Sequence, residues 1–297
     1  MIINSDREFA FVHIPKCAGT SVREVLLRFD QREAEYTANF TNQTGIEEVF
    51  DLPGFGPVKY NHLNLPAMAK ILPEELDRLL NYRTITVIRD PYPRFISALS
   101  ERSKLVRGGN ITAHSDAEIL ADTRKVMASL PDAAKCGGAY PLELTTFQRQ
   151  VDYIFLEGIC VLSRIYRIDQ LTEFFSDAIE RLGLDEDPAG LAGVRANETL
   201  AHGPPATRLV EIMLDRSIRA VRGTLPEGFR KRYLPRQVRN RISRKLHPSG
   251  QAKLAWLLED SEVRAFIEDH YAEDLALWNA SHRYEIGRGF EKSWRDG

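Results

Sequence analysis

Cysteine is scarce in this chain, and the few present do not fall into pairs. Cys17, Cys136 and Cys160 are three among 297 residues. They are odd in number and lack the close spacing of a zinc ligand set, so neither a disulfide framework nor a structural metal is expected. Long apolar runs are also missing. No stretch reaches the roughly 18 uncharged apolar residues that a membrane-crossing helix needs. The opening MIINSDREF carries charge where a signal peptide would have its apolar centre, so no leader or anchor is expected. Nor is there an excess of either charge. Forty Lys and Arg against 42 Asp and Glu leave a net charge of −2, which removes any global attraction to nucleic acid or an anionic membrane. With 43% hydrophobic and 28% charged residues, the composition is that of an ordinary globular protein. Unpaired thiols fit a reducing compartment, so the expected location is cytoplasmic.

The chain is organised around Phe9 to Phe29, FAFVHIPKCAGTSVREVLLRF. Phe9, Phe11, Val12 and Ile14 form a short apolar run of strand formers, which Pro15 ends. Val22, Val25, Leu26 and Phe29 then recur at i, i+3, i+4 and i+7, one face of a helix. Thr20 or Ser21 is the expected N-cap. Gly19 provides either a close backbone approach or a positive φ. A helix that starts directly after a strand presents unspent amides and the positive end of its dipole, and Lys16 adds a full charge. This is an anion site. It is not the nucleotide-hydrolase loop G-x-x-x-x-G-K-[ST], because the lysine precedes the glycine.

The same geometry recurs once. TITVI, residues 84–88, reads as a buried strand that runs into RDPYPRFISALSER. Pro91 and Pro93 break the strand, and helix is expected from Arg94. Arg89 sits at the strand's carboxyl end and Ser97 in the first turns of the helix. Both can reach one anion in the crevice where open α/β sheets collect their ligands. A purely local Arg89–Asp90 pair is the plainer alternative.

Between and beyond these units the pattern is conventional. Residues 30–56 are polar and close on PGFGP, a surface loop. VKYNHLNL, residues 58–65, reads as a strand with His62 at or just past its end. LPEELDRLL, residues 72–80, is a short helix with proline at its start. Gly108, Gly109 and Asn110 open a loop, after which Ser115 and Glu118 form a capping box for a helix through about residue 130. PDAAKCGGAYP is loop. Ile159 to Ile168 reads as a strand interrupted by Arg164, followed by a helix capped by Asp169 and stopped by Gly183. Residues 252–278 are helical, and the polar tail from Asn279 is expected to fray. Residues 208–245 hold twelve Lys and Arg against three acidic residues, a local charge of +9. They are read as part of a basic helical insertion at 204–250. Such a block would draw an anionic acceptor or touch a membrane surface peripherally, or it is simply a solvated face. With few aromatics for base stacking, it does not point to nucleic acid.

The string HIPKCAGTS closely resembles the 5′-phosphosulfate loop of sulfotransferases, in the family that includes carbohydrate sulfotransferases. The Arg89–Ser97 segment resembles that family's 3′-phosphate motif. Weaker resemblances lie in TTFQRQVDYIF, where a glutamine precedes a tyrosine segment near the nucleotide, and in HYAEDLALW, similar to a closing helix and read as packing. The resemblance implies one domain over residues 1–297, with a P-loop-like three-layer α/β fold and a mainly parallel central sheet flanked by helices. It implies a soluble bacterial-type enzyme that moves a sulfuryl group from 3′-phosphoadenosine 5′-phosphosulfate to a hydroxyl of a carbohydrate or glycolipid, without a metal. Lys16 would be catalytic and, with Cys17, Ala18, Gly19, Thr20 and Ser21, would hold the 5′ end of the donor. Arg89 and Ser97 would hold the 3′-phosphate. Related carbohydrate sulfotransferases place a histidine base after the first strand–helix unit, which makes His62 the candidate here; His13, inside the first strand, is read as structural. Two other readings stand beside this one. An ATP-dependent kinase would need a standard phosphate loop, against which the placement of Lys16 counts. A non-catalytic module that binds nucleotide or anionic polymer would not require Lys16, Arg89 and Ser97 as a set.

Overall fold

Alternating residues of short strands face two different cores, and this sets the layering of the molecule. The computed structural model describes residues 1–31, 49–52, 56–59, 62–107, 114–134, 140–192 and 254–292. The basic segment 208–245, the expected insertion at 204–250, the Gly108–Asn110 loop and Cys136 lie outside the described residues.

Ile2–Asn4 (β1) pairs antiparallel with Phe9–Val12 (β2). Val49–Leu52 (β3) and Gly56–Lys59 (β4) form a separate hairpin. Arg83–Ile88 (β5) runs parallel to β2. Phe155–Leu156 (β6) and Ile159–Cys160 (β7) make a second small hairpin. Arg164–Arg167 (β8) then pairs parallel with β5, so the main sheet has the order β1-β2-β5-β8. The helices are Gly19–Leu26 (α1), Leu65–Ile71 (α2), Pro73–Asn81 (α3), Pro91–Arg107 (α4), Asp116–Ala134 (α5), Leu171–Leu182 (α6), Pro188–Ala192 (α7), Ser261–His270 (α8) and Ala272–Ala280 (α9). Among the described residues none is long and apolar enough to cross a membrane.

Side chains alternate across a strand with period two. Ile2, Phe9, Phe11, Ile85, Val87 and Tyr166 therefore pack against α1 and α6 on one face. Ile3, Ala10, Val12, Ile88 and Ile165 pack against α2, α3 and α9 on the other. Helices cover both faces of a mainly parallel sheet, as the α/β reading expects. A third apolar cluster joins α4, α5 and α8 beside the sheet. Thr84 and Thr86 are buried within β5 but satisfied: their hydroxyls donate to Leu79 O at 2.6 Å and Val12 O at 2.8 Å.

Several sequence-based expectations need correction. β4 ends at Lys59, and LNL belongs to a helix start instead of a strand, because the Asn64 side chain caps α2 by accepting from Ala67 N at 3.0 Å. Part of the supposed loop 30–56 is strand β3. α4 begins at Pro91, three residues early; both prolines fall in the first turn, where an N–H has no helical acceptor to lose. The capping box of Ser115 and Glu118 is present in both directions, at 2.9 and 3.4 Å, but α5 runs on to Ala134. Residues 159–168 form two strands in different sheets, and Arg164 starts β8 instead of interrupting it. The β6–β7 turn has positive φ at both Glu157 and Gly158, the signature of a tight hairpin. Asp169 caps no helix. Its carboxylate accepts from Arg167 at 3.0 Å, and Gln170 is the residue ahead of α6. Gly183 does end α6, in the left-handed region at φ 67°. Residues 252–278 are not one helix: Tyr271 separates α8 from α9. Over its described residues, 279–292, the tail does not fray either. Ile286 is buried, its carbonyl accepts from Ile165 N at 3.0 Å, and Phe290 O accepts from Cys160 N at 2.8 Å. The tail thereby covers the exposed edge of β8, a common way to protect unpaired strand groups.

Phe174 is fully buried among Phe11, Tyr166 and Phe175, at ring distances of 5.5, 5.7 and 5.2 Å. Phe174→Ala should cost about 3–5 kcal/mol, seen as a lower urea midpoint at unchanged m value. A loss below about 1 kcal/mol would contradict this packing.

Candidate functional site

Because β2 and β5 are parallel neighbours, the turns that leave their carboxyl ends emerge side by side. The first turn, His13 to Ala18, is held in an unusual backbone conformation. Lys16 and Ala18 have φ of 66° and 62°, with Cys17 between them on the ordinary side. Non-glycine residues pay about 1–2 kcal/mol each for the left-handed region. This alternation turns successive N–H groups into one concavity, the geometry of an anion-binding nest. Ala18 is the N-cap of α1, and its side chain makes no capping hydrogen bond. Thr20 and Ser21 are thus not caps but first-turn residues. The first intrahelical bond is Val22 N to Ala18 O at 3.1 Å, so the amides of Gly19, Thr20 and Ser21 lie ahead of the helical ladder.

Gly19 is required by close approach, not by φ. A Cβ there would sit 1.8 Å from Cδ2 and 1.9 Å from Nε2 of His13. His13 in turn meets the ring of His62 edge-on at 4.7 Å. Both histidines are buried, and Nδ1 of His13 has no hydrogen-bond partner among the described residues. Burial first, and then the neighbouring His62, push His13 well below its ordinary pKa, so it is neutral at pH 7. The His62 carbonyl is fixed by Tyr153 Oη at 2.8 Å and Gln148 Nε2 at 3.1 Å. His62 therefore reaches the α1 terminus through His13, from an element outside the main sheet.

The two turns touch. Arg89 Nη1 donates to the Lys16 carbonyl at 3.3 Å. The side-chain amide of Gln150 locks the second turn from both sides: it accepts from Arg89 N at 2.9 Å and donates to Arg89 O at 2.8 Å. Its Oε1 also accepts from the Cys17 thiol at 3.2 Å. Cys17 thus points into the protein. Burial raises its pKa to about 11, which rules out a reactive thiolate at neutral pH and leaves it a loop-filling residue. Lys16 Nζ lies 3.5 Å from Glu101 on α4. Ser97 precedes Glu101 by four residues and so shares its face of α4. Of the sequence-predicted residues, Arg89 meets the Lys16 backbone, and Ser97 lies one helical turn before Glu101 on α4.

Beneath the turns lies a buried tie that the sequence reading missed. Arg94 is 2% exposed, yet its guanidinium donates to Pro15 O at 3.1 Å and to Gln148 O, and lies 3.8 Å from the Asp274 carboxylate. Asp274, fully buried on α9, accepts from the amides of Gln150 at 2.9 Å and Val151 at 3.0 Å. Burial pushes its carboxyl pKa up, opposed by Arg94 and those two amides. A signal existed: Asp274 stands between Tyr271 and Leu277 on a stripe that is otherwise apolar, where a lone charge needs a partner.

A cleft of about 560 Å³ lined by Arg83, Ser163, Arg164, Glu285, Arg288 and Phe290 lies at the opposite end of the sheet. Its cations are already committed: Arg83 to Asp177 at 2.7 Å, Arg164 to Glu285 at 2.6 Å, and Arg288 to Tyr82 O at 2.9 Å. The turns, not this cleft, are therefore the candidate site. Among the described residues no three His, Cys, Asp or Glu side chains are grouped to hold a metal ion.

Removing Asp274 would leave Arg94 buried without its counter-charge and two amides without an acceptor. Asp274→Ala should cost about 3–5 kcal/mol, and Asp274→Asn less, since one amide bond survives. Equilibrium denaturation of both variants tests this. Equal, small losses would mean the tie is incidental.

A family model described as the sulfotransferase family matches residues 1–153. Searches of curated proteins and of solved structures find no match. The matched region runs from β1 through the Gln150 clamp and holds both turns, whereas Asp274 lies beyond it. It spans just over half of the 297 residues, and the chain belongs to the sulfotransferase family.

Proposed function

We propose that the chain transfers a sulfuryl group from 3′-phosphoadenosine 5′-phosphosulfate to a hydroxyl of a carbohydrate or glycoconjugate, as a cytoplasmic enzyme. One observation carries the reading: two cationic turns on adjacent parallel strands meet, with Arg89 on the Lys16 carbonyl at 3.3 Å. A ligand that is anionic at both ends of one adenosine matches that pair of turns, whereas a single phosphate needs one. The reading of the first turn as a phosphosulfate site is supported by its alternating backbone and by a helix start whose N-cap, Ala18, makes no side-chain capping bond.

When bound, the donor supplies the sulfuryl group and a leaving phosphate oxygen. In this reading the amides of Cys17 through Ser21 hold the 5′ end. The Lys16 ammonium meets the charge that grows on the leaving oxygen as its bond to sulfur breaks. That interaction strengthens in the transition state, which is what lowers a barrier. Arg89 and Ser97 hold the 3′-phosphate. His62 takes the proton of the acceptor hydroxyl as its oxygen bonds to sulfur. Neutral His13 packs beside His62 and adds no competing positive charge.

The donor reading predicts that adenosine 3′,5′-bisphosphate raises the melting temperature more than adenosine 5′-monophosphate does. Equal shifts would remove the case for a 3′-phosphate pocket. Lys16→Ala should lower kcat by roughly a hundredfold, about 3 kcal/mol by analogy with oxyanion donors, with a smaller change in KM. Unchanged kcat in single-turnover measurements would refute its role.

A further inference from the structure

Glu101 is an acidic group placed where an anion is meant to bind. It lies on α4, one helical turn after Ser97, with its carboxylate 3.5 Å from Lys16 Nζ. The cation next to it on the helix points elsewhere: Arg102 is committed to Asp122 at 3.0 Å and Glu143 at 2.9 Å. The Glu101 carboxylate is within ion-pair reach of Lys16, and both ends of the pair are partly open to solvent, at 23% and 44% exposure. An accessible ion pair of this kind exchanges readily, because Coulomb attraction in high dielectric is weak. A phosphosulfate or phosphate oxygen at the nest and the Glu101 carboxylate want the same ammonium.

We propose that Glu101 is a positioning residue that competes with the donor for Lys16. It holds the long lysine side chain across the mouth of the first turn while no ligand anion claims it. It gives way when the donor arrives and reclaims Lys16 as the bisphosphate product leaves. Nucleotide affinity is thereby kept moderate, which favours turnover where product release limits the rate. This rests on the donor reading above.

The test is a double-mutant cycle read by calorimetry and stopped-flow release of adenosine 3′,5′-bisphosphate, with wild type, Glu101→Gln, Lys16→Met and the double variant. Glu101→Gln should tighten binding by about two- to fivefold, the range expected for an exposed pair, mainly through slower release and without a change in melting temperature. In the Lys16→Met background the same substitution should change affinity by less than about twofold. An unchanged dissociation constant in Glu101→Gln overturns the proposal. So does an equal gain in both backgrounds, because Glu101 would then repel the nucleotide directly instead of acting through the lysine. If the wild type binds no bisphosphate at all, the donor reading itself fails first.

Discussion

The site depends on a buried guanidinium. Arg94 takes acceptors from three places that are remote in sequence: the Pro15 carbonyl, the Gln148 carbonyl and the Asp274 carboxylate. Burying the two charges costs several kcal/mol each before any attraction is counted, so the pair adds little net stability. What it supplies is registry. The carbonyl just ahead of Lys16 cannot drift without leaving a buried charge short of an acceptor. The Gln150 amide cannot drift without releasing Asp274. Since Gln150 also holds both backbone groups of Arg89, one network sets the distance between the two turns.

This explains how the first turn tolerates its backbone. Two left-handed non-glycine residues in a row of three would together cost roughly 2–4 kcal/mol, and the one local contact, the Cys17 thiol on the Pro15 carbonyl at 3.6 Å, is weak. The compensation comes from the surroundings: Pro15 O on Arg94, Lys16 O on Arg89, and the Cys17 thiol on Gln150. Strain stored at such a position persists only when neighbouring contacts over-determine it. Here each residue from Pro15 to Cys17 is fixed by an element outside the loop. The concavity is preorganised for that reason, not because the loop sequence prefers it.

How much of this was legible in the sequence follows from the range of the forces involved. The two strand–turn–helix units could be read because period-two and period-3.6 patterns are local, and because HIPKCAGTS and RDPYPRFIS put their special residues within a few positions. Boundaries failed where the deciding bond was a side chain reaching the backbone. Asn64 converts an apparent strand into a helix start, and Asp169, a cap by its position in the sequence, pairs with Arg167 instead. The tie failed entirely. Arg94 and Asp274 are separated by 180 positions, and neither looks unusual alone. Gly19 was readable as either a close approach or a positive φ, and the ring of His13, which no local pattern places there, decides for the close approach.

The histidine pair shows how the two kinds of constraint meet. Burial makes His13 neutral, and a neutral ring can pack close to Gly19 and edge-on to His62 without a charge penalty. A charged imidazolium in that place would face Lys16 and Arg23, which already act against it. His13 is therefore a spacer whose uncharged state is enforced by its neighbours, and its width sets how near His62 comes to the first turn of α1. Gln148 and Tyr153 fix His62 from the other side through its carbonyl, and Gln148 is itself an Arg94 partner. The His62 backbone and the Pro15 carbonyl ahead of the first turn are thus tied to the same buried cation, His62 through Gln148 and Pro15 directly.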